Sequence, residues 1–237
     1  MKLITWNCNM AYRKKAFLLS EYKPDIVVVQ ECEHPDKQLM ADNPVTPASA
    51  LWFGQNLNKG LGIFSYSDWK LEALDTLNDS FRTIVPVAVT RGKSRFTLFA
   101  VWANNPNDRE GPYITQVWKA LHHYKHLINP GKTVLIGDFN SNTIWDKPRR
   151  EGNHSTVVQR LKEKGISSVY HKHFKQKQGL EAHPTFYLYR HLEKPYHLDY
   201  CFASKDLMRR LQLVEVGDHA FWCRFSDHVP VMVTFDL

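Results

Sequence analysis

Apolar positions along this chain come in short unbroken runs, and several runs close on polar side chains spaced two apart. In residues 132–140, Lys-Thr-Val-Leu-Ile-Gly-Asp-Phe-Asn, positions 133 to 136 are all β-branched or leucine. A run without polar alternation predicts a strand buried on both faces inside an α/β layer. It stops at Gly137, where the backbone turns without a Cβ in the way, and Asp138 and Asn140 follow. Side chains two apart on extended chain point to one side. A carboxylate and a carboxamide are therefore expected together at the carboxyl end of a buried strand, where open α/β sheets bind ligands. Alone, the fragment is more often a surface Asp-Asn turn; its recurrence elsewhere shifts that weighting.

Residues 2–9 predict a strand that closes on Asn7 and Asn9, and residues 14–22 a short helix stopped by Pro24. Residues 25–31 read as a second buried strand with Gln30 and Glu31 at its end. More strands are expected at 60–65, 84–89 and 95–102, and Pro86 hints at an edge or bulge. A polar loop with Asn104 and Asn105 follows. Residues 112–128 carry apolar side chains at helical spacing. His122 and His126 stand four apart on that helix, but with no third ligand a solvated face is expected, and His171 and His173 read likewise. A second helix at about 156–164 ends at Gly165, and the polar, basic stretch 168–177 reads as a loop over a site. Strands at 185–189, 197–203, 211–216 and 229–235 complete the chain, the last preceded by Asp227 and His228. Many strands with a few interspersed helices argue for α/β or α+β layers.

No linker, repeat or low-complexity tract divides the 237 residues, so one domain over 1–237 is expected. Lys and Arg outnumber Asp and Glu 31 to 24, a net +7 that favours an anionic partner. Short basic clusters lie at 13–15, 147–150 and 172–177, each equally consistent with a solvated surface. The four cysteines form no CxxC pair; Cys8, Cys32 and Cys201 sit in apolar runs and read as small buried hydrophobes, which fits a reducing compartment. No window approaches a membrane span, so a soluble cytoplasmic protein is expected.

Side by side, the polar ends are Asn7, Asn9, Glu31, Asp138, Asn140, Asp199, Asp227 and His228. Oxygen donors dominate, which suits Mg²⁺ or Mn²⁺ and not structural zinc. Hydrolysing a phosphate ester needs a cation on the phosphoryl oxygens, a base for water and a donor facing the developing charge. This set contains candidates for all three.

The ordered series TWNCN, VVVQE, GLGIFS, LIGDFN, HLDYCFAS and SDHVPV resembles the endonuclease/exonuclease/phosphatase superfamily, with the deoxyribonuclease I-like fold, from residue 2 to residue 235. The resemblance implies an α/β four-layer sandwich, two packed mixed β-sheets flanked by helices. It implies a Mg²⁺-dependent phosphodiester hydrolase, a nuclease acting on DNA or RNA, with no membrane and no obligate protein partner. Two alternatives remain: the same chemistry on a small phosphoester such as an inositol phosphate or lipid headgroup, or an inactive binding module. Intact Glu31, Asp138, Asp199 and His228 argue against the second. Carried across, Glu31 resembles the main Mg²⁺ ligand, supported by Asn7 and Asp227; Asp138, with Asn140 beside it, resembles the group that handles the attacking water. His228 resembles the histidine at the scissile phosphate and Asp199 its partner. Asn9, Asn104, Asn105 and His197 are the candidates for substrate contact. Two positions depart from the family: Asn9, where Asp is common, and Trp102, where His or Tyr is common. Either Trp102 faces the core and Asn104 or Asn105 makes the contact, or that second acid is missing.

Overall fold

The computed structural model describes residues 1–38, 45–75, 77–104, 111 and 113–237. In chain order the first elements are β1 (Lys2–Asn7), α1 (Ala16–Ser20), β2 (Ile26–Cys32), α2 (Pro35–Gln38), β3 (Ser49–Asn56), β4 (Lys59–Ser65), β5 (Lys70–Ala73), β6 (Ile84–Arg91) and β7 (Ser94–Trp102). Then come α3 (Ile114–His123), β8 (Thr133–Asp138), α4 (His154–Glu163), β9 (Ile166–Ser168) and α5 (Val169–Phe174). The chain finishes with β10 (Phe186–Tyr187), β11 (Pro195–Tyr196), β12 (Asp199–Ser204), α6 (Lys205–Met208), β13 (Leu211–Val216), α7 (His219–Trp222) and β14 (Val231–Phe235).

Two six-stranded sheets form, ordered β13-β14-β1-β2-β4-β3 and β5-β6-β7-β8-β12-β9. Their pairing patterns match. Each has one parallel pair at its centre, β1 with β2 and β7 with β8, and antiparallel partners on both sides. Read from opposite ends, β1 and β8 hold the same place, so their carboxyl ends are equivalent.

The unbroken apolar runs have a direct cause. In β1, Leu3 joins a core shared with Val85, Leu98 and Val134 of the second sheet, whereas Ile4 and Trp6 join an outer core with Leu18, Leu19 and Trp222. In β8, Val134 and Ile136 face the inter-sheet core, and Leu135 meets Val117 and Leu121 of α3 and Leu161 of α4. Three apolar layers therefore separate four structural layers, and a central strand is apolar on both faces. Burying each such side chain stabilises by roughly 2 kcal/mol, so the strands that carry Asn7 and Asp138 are clamped from two directions.

Some elements differ from their expected form. Residues 168–177 are not a loop: Ser168 caps α5, whose Val169 and Tyr170 are buried. The edge strands β3 and β5 were not expected: β5 has no continuous apolar run, and in β3 the run Ala50 to Phe53 is followed at once by the exposed Gly54 to Asn56. Pro86 lies one residue past the last β5 pair, Ala73 with Val87, and its carbonyl accepts the Leu74 N–H at 3.5 Å where the ladder ends. Gly137 makes no turn; it lies within β8 with φ 149°, and a Cβ there would meet the Val101 carbonyl oxygen at 1.8 Å. All four cysteines are free and buried. Among the described residues, no helix is long and apolar enough to cross a membrane.

Candidate active site

Each central strand ends in the same turn. After β1, the Asn9 backbone N–H donates to Asn7 Oδ1 at 3.2 Å; after β8, the Asn140 N–H donates to Asp138 Oδ1 at 2.8 Å. Both turns put the second Asn at positive φ, 49° and 45°, a conformation Asn tolerates better than most residues because its side chain bonds locally. Asp138 and Asn140 thus project together by a turn closed on the carboxylate, not by strand alternation.

Sheet packing then joins the two turns. Asn7 Nδ2 donates across the sheets to Asp138 Oδ2 at 3.1 Å, and Asn140 Nδ2 donates to the same oxygen and to the Ala103 carbonyl, each at 3.0 Å. Asp138 is fully buried. Burial drives its carboxyl well above the ordinary carboxylate range; His228 pulls it back and the neighbouring Asp199 pushes it further up.

Asp199 begins β12 directly opposite Asp138. Its N–H and that of Leu198 both donate to Thr185 Oγ1 at 2.9 Å, which fixes the carboxylate. Asp199 Oδ2 lies 2.8 Å from His228 Nδ1. The His228 main chain is held by Ser226 Oγ, which accepts its N–H, and by the Trp6 indole, which donates to its carbonyl, while Phe186 packs on the ring at 4.7 Å. Burial by itself would lower the imidazole; the carboxylates of Asp199 and Asp138 outweigh it and raise the ring far above its ordinary value. Both carboxylates favour the imidazolium form.

The remaining candidates are more scattered. Glu31 occupies a bulge in β2 at φ 61°, and its carboxylate pairs with Lys59 Nζ at 3.0 Å. Asp227 accepts the Asn9 side-chain amide on Oδ1 at 3.2 Å. Asn104 lines a cavity beside Glu31's partner Lys59, and Asn105 lies outside the described residues. Trp102 is 5% exposed and joins the inter-sheet core, so it faces inward.

A cation fits this site on two observations. Asp199 Oδ1 is buried with no hydrogen-bond partner. Asp138, Asp199 and His228 hold ligand atoms within 4.8 Å of one another, the one such group among the described His, Cys, Asp and Glu; with His228 protonated against Asp199, the donors it offers a cation are the carboxylate oxygens. Glu31 and Asp227 are not members of that group. With the carboxamide of Asn7 at its edge, the donors are mainly oxygens suited to a hard divalent ion.

His197 is a correction. It is 3% exposed, its Nδ1 bonds the His183 carbonyl at 2.7 Å, and its Nε2 is buried without a partner, so no surface remains for substrate. Nor is His171 solvated: it pairs with Glu181 at 2.9 Å, and a lone histidine ten residues before its partner gives no local sign of that. His154 is also buried and packs against Tyr200, ring centroids 4.8 Å apart and tilted. Burial holds His154 and His197 down to about 4. Their folded values lie below the ordinary 6.5, so the unfolded chain takes up protons first as pH falls. The stability they contribute is complete above about pH 6.5 and is lost on the way to pH 4, about 3 kcal/mol for each. The urea midpoint is expected to fall steeply between pH 6.5 and 4.5, with a shallower fall in His154→Gln. A midpoint independent of pH over that range excludes the assignment.

Sequence reasoning missed Thr185, Phe186 and Lys59. The first two stand in a stretch expected to be strand, with nothing in its pattern to mark the contacts they make.

The model of the Endonuclease/Exonuclease/phosphatase family matches residues 4–228. Among solved structures, the chain is similar to a 3′ phosphatase from Neisseria bound to a product DNA hairpin, at 24% identity with TM-score 0.70 and 100% of both chains covered. It is also similar to the endonuclease domain of TRAS1, a telomere-specific non-LTR retrotransposon, at 16% identity and TM-score 0.71, covering 100% of this chain and 98% of that one. An AP endonuclease from Archaeoglobus fulgidus matches at 19% identity and TM-score 0.66, with 100% of both chains covered. At these identities the likeness concerns the fold. No curated protein sequence matches the chain.

Proposed function

The chain belongs to the endonuclease/exonuclease/phosphatase family, and from that premise we propose that it is a divalent-metal-dependent phosphodiesterase that cleaves nucleic acid, DNA or RNA. The observation that carries the reading is the buried set Asp138, Asp199 and His228 with an oxygen of Asp199 left unpartnered. In this reading Asp138 takes the proton of the attacking water. A carboxyl raised toward neutrality is a competent base there, and three N–H donors from Asn7 and Asn140 keep it aimed. His228, held as imidazolium by Asp199, faces the charge that develops on the phosphoryl oxygens. Glu31, Asn7 and Asp227, carried over from the family resemblance, would hold the cation, Mg²⁺ or Mn²⁺, with Asn7 joining them to the buried set through Asp138 and the open Asp199 oxygen as a further donor; bound, the cation would supply Lewis-acid polarisation of the phosphoryl oxygens. Nucleic acid is favoured over a small phosphoester by the net charge of +7 and by the relatives named above. The residues form one domain in this reading, and four free cysteines suit the cytoplasm.

Cleavage of a labelled oligonucleotide is expected to stop in EDTA and return with Mg²⁺ or Mn²⁺. Glu31→Gln, a neutral oxygen in place of a charged one, shifts the Mg²⁺ midpoint to higher concentration. Full activity in chelator, or recovery by Zn²⁺ alone, overturns the metal assignment. A free phosphomonoester hydrolysed faster than any oligonucleotide moves the substrate to the small-phosphoester class.

A further inference from the structure

Beside Glu31 opens a cavity of about 530 Å³, within the range of small-ligand sites, whose walls include Asn56, Lys59, Asp79, Arg82, Trp102 and Asn104. Four separate segments build it: the β3–β4 hairpin, the turn before β6, the end of β7, and α3 through Gln116. Its chemistry is cationic and carboxamide-rich. Lys59 lies 5.5 Å over the ring of Trp102, which is itself turned into the inter-sheet core, so the cavity offers a charge and no open aromatic face. What such walls recognise is a phosphate with its sugar, not an apolar group.

Both cations are held by carboxylates in this structure. Arg82 pairs with Asp79 at 3.2 Å, and Lys59 pairs with Glu31 at 3.0 Å. The second pair joins the cavity to the site, because Glu31 is the carboxylate read above as a cation ligand. An ammonium and a divalent ion compete for it. When the ion takes Glu31, Lys59 loses its counter-charge while still lining the cavity, and a phosphate restores it.

We propose that this cavity seats the nucleotide next to the scissile phosphate, and that Lys59 is its phosphate contact, released to it when a divalent cation takes over Glu31. The inference rests on the nuclease reading and adds a coupling to it: cation and oligonucleotide bind more tightly together than apart, through one lysine. Such coupling is reciprocal.

Two opposed shifts test this, neither of them an activity. The probes are Mn²⁺, followed by its electron paramagnetic resonance, and a fluorescent single-stranded oligonucleotide, bound to protein silenced by Asp138→Asn. Lys59→Met is expected to tighten Mn²⁺ binding severalfold, because Glu31 no longer has a competing cation. The same change weakens oligonucleotide binding about tenfold with Mg²⁺ present, as loss of one charged contact does, and flattens the salt slope by about 0.7. In EDTA, Lys59→Met and Lys59 proteins bind the oligonucleotide alike. Lys93→Met, on the exposed β6–β7 turn, changes none of these. If Lys59→Met leaves Mn²⁺ affinity unchanged, or weakens the oligonucleotide equally with and without Mg²⁺, the coupling is wrong while the nuclease reading stands. If the silenced protein binds no oligonucleotide in a salt-sensitive way, that reading fails and takes this inference with it.

Discussion

Asp138→Asn is expected to lower kcat on a phosphodiester by roughly two to four orders of magnitude, the loss typical of a missing general base. The structure separates that loss from a folding defect. Asp138 accepts one N–H on Oδ1 and two on Oδ2, so whichever oxygen becomes an amide, at least one donor loses its acceptor. Leaving a buried donor unpaired costs about 1–3 kcal/mol. The change also removes a charge that burial disfavours, which offsets part of that cost. A rate loss of 10² to 10⁴ corresponds to about 3–5 kcal/mol of transition-state stabilisation, so the activity effect exceeds the stability effect. Single-turnover rates set against urea midpoints measure both. Near wild-type turnover in a well-folded variant removes Asp138 from the chemistry.

Asp199→Asn should reduce kcat/KM by about two to three orders of magnitude and draw the alkaline limb of the pH–rate profile to lower pH. The reasoning follows from the two oxygens of Asp199. Oδ2 bonds His228 Nδ1 at 2.8 Å, whereas Oδ1 is buried without a partner. An Asn can keep its carbonyl toward His228 and place its amide where Oδ1 was, so ring orientation survives and the negative charge goes. Burial then pulls the imidazole down against the weaker opposition of Asp138 and Asp227. The imidazolium is the form needed, and a lower pKa means it is lost at lower pH, so activity falls away earlier as pH rises. The profile from pH 6 to 10 reads this out. An unchanged alkaline limb with full activity means that Asp199 and His228 are not partnered in catalysis.

Much of the core was legible because burial on both faces erases alternation. β1, β2, β8, β12 and β14 are each apolar runs for that reason, and their polar ends mark where the layers stop. β5 was illegible for the opposite reason: at a sheet edge one face meets water, and Leu71 stands alone between Lys70 and Glu72, whereas β3 carries the apolar run Ala50 to Phe53 and was legible in principle. The stretch 168–177 looked like loop because its charges dominate, yet Val169 and Tyr170 supply enough buried surface to dock a helix.

Asn7 with Asn9, and Asp138 with Asn140, are pairs the sequence determines by itself, since a turn two residues long closes through bonds available at that spacing. The meeting of Asn7 with Asp138, 131 residues apart, is decided only by the tertiary structure, as are Asp199 with His228, Glu31 with Lys59 and the burial of His197. Side-chain periodicity encodes which face a residue takes within its own strand. It carries no information on which strand lies opposite or in what register, because that depends on the summed packing of two sheets across a shared core. The proton chemistry at Asp138 and His228 depends on those contacts, since each charge is set by neighbours the chain reaches only after both sheets have closed.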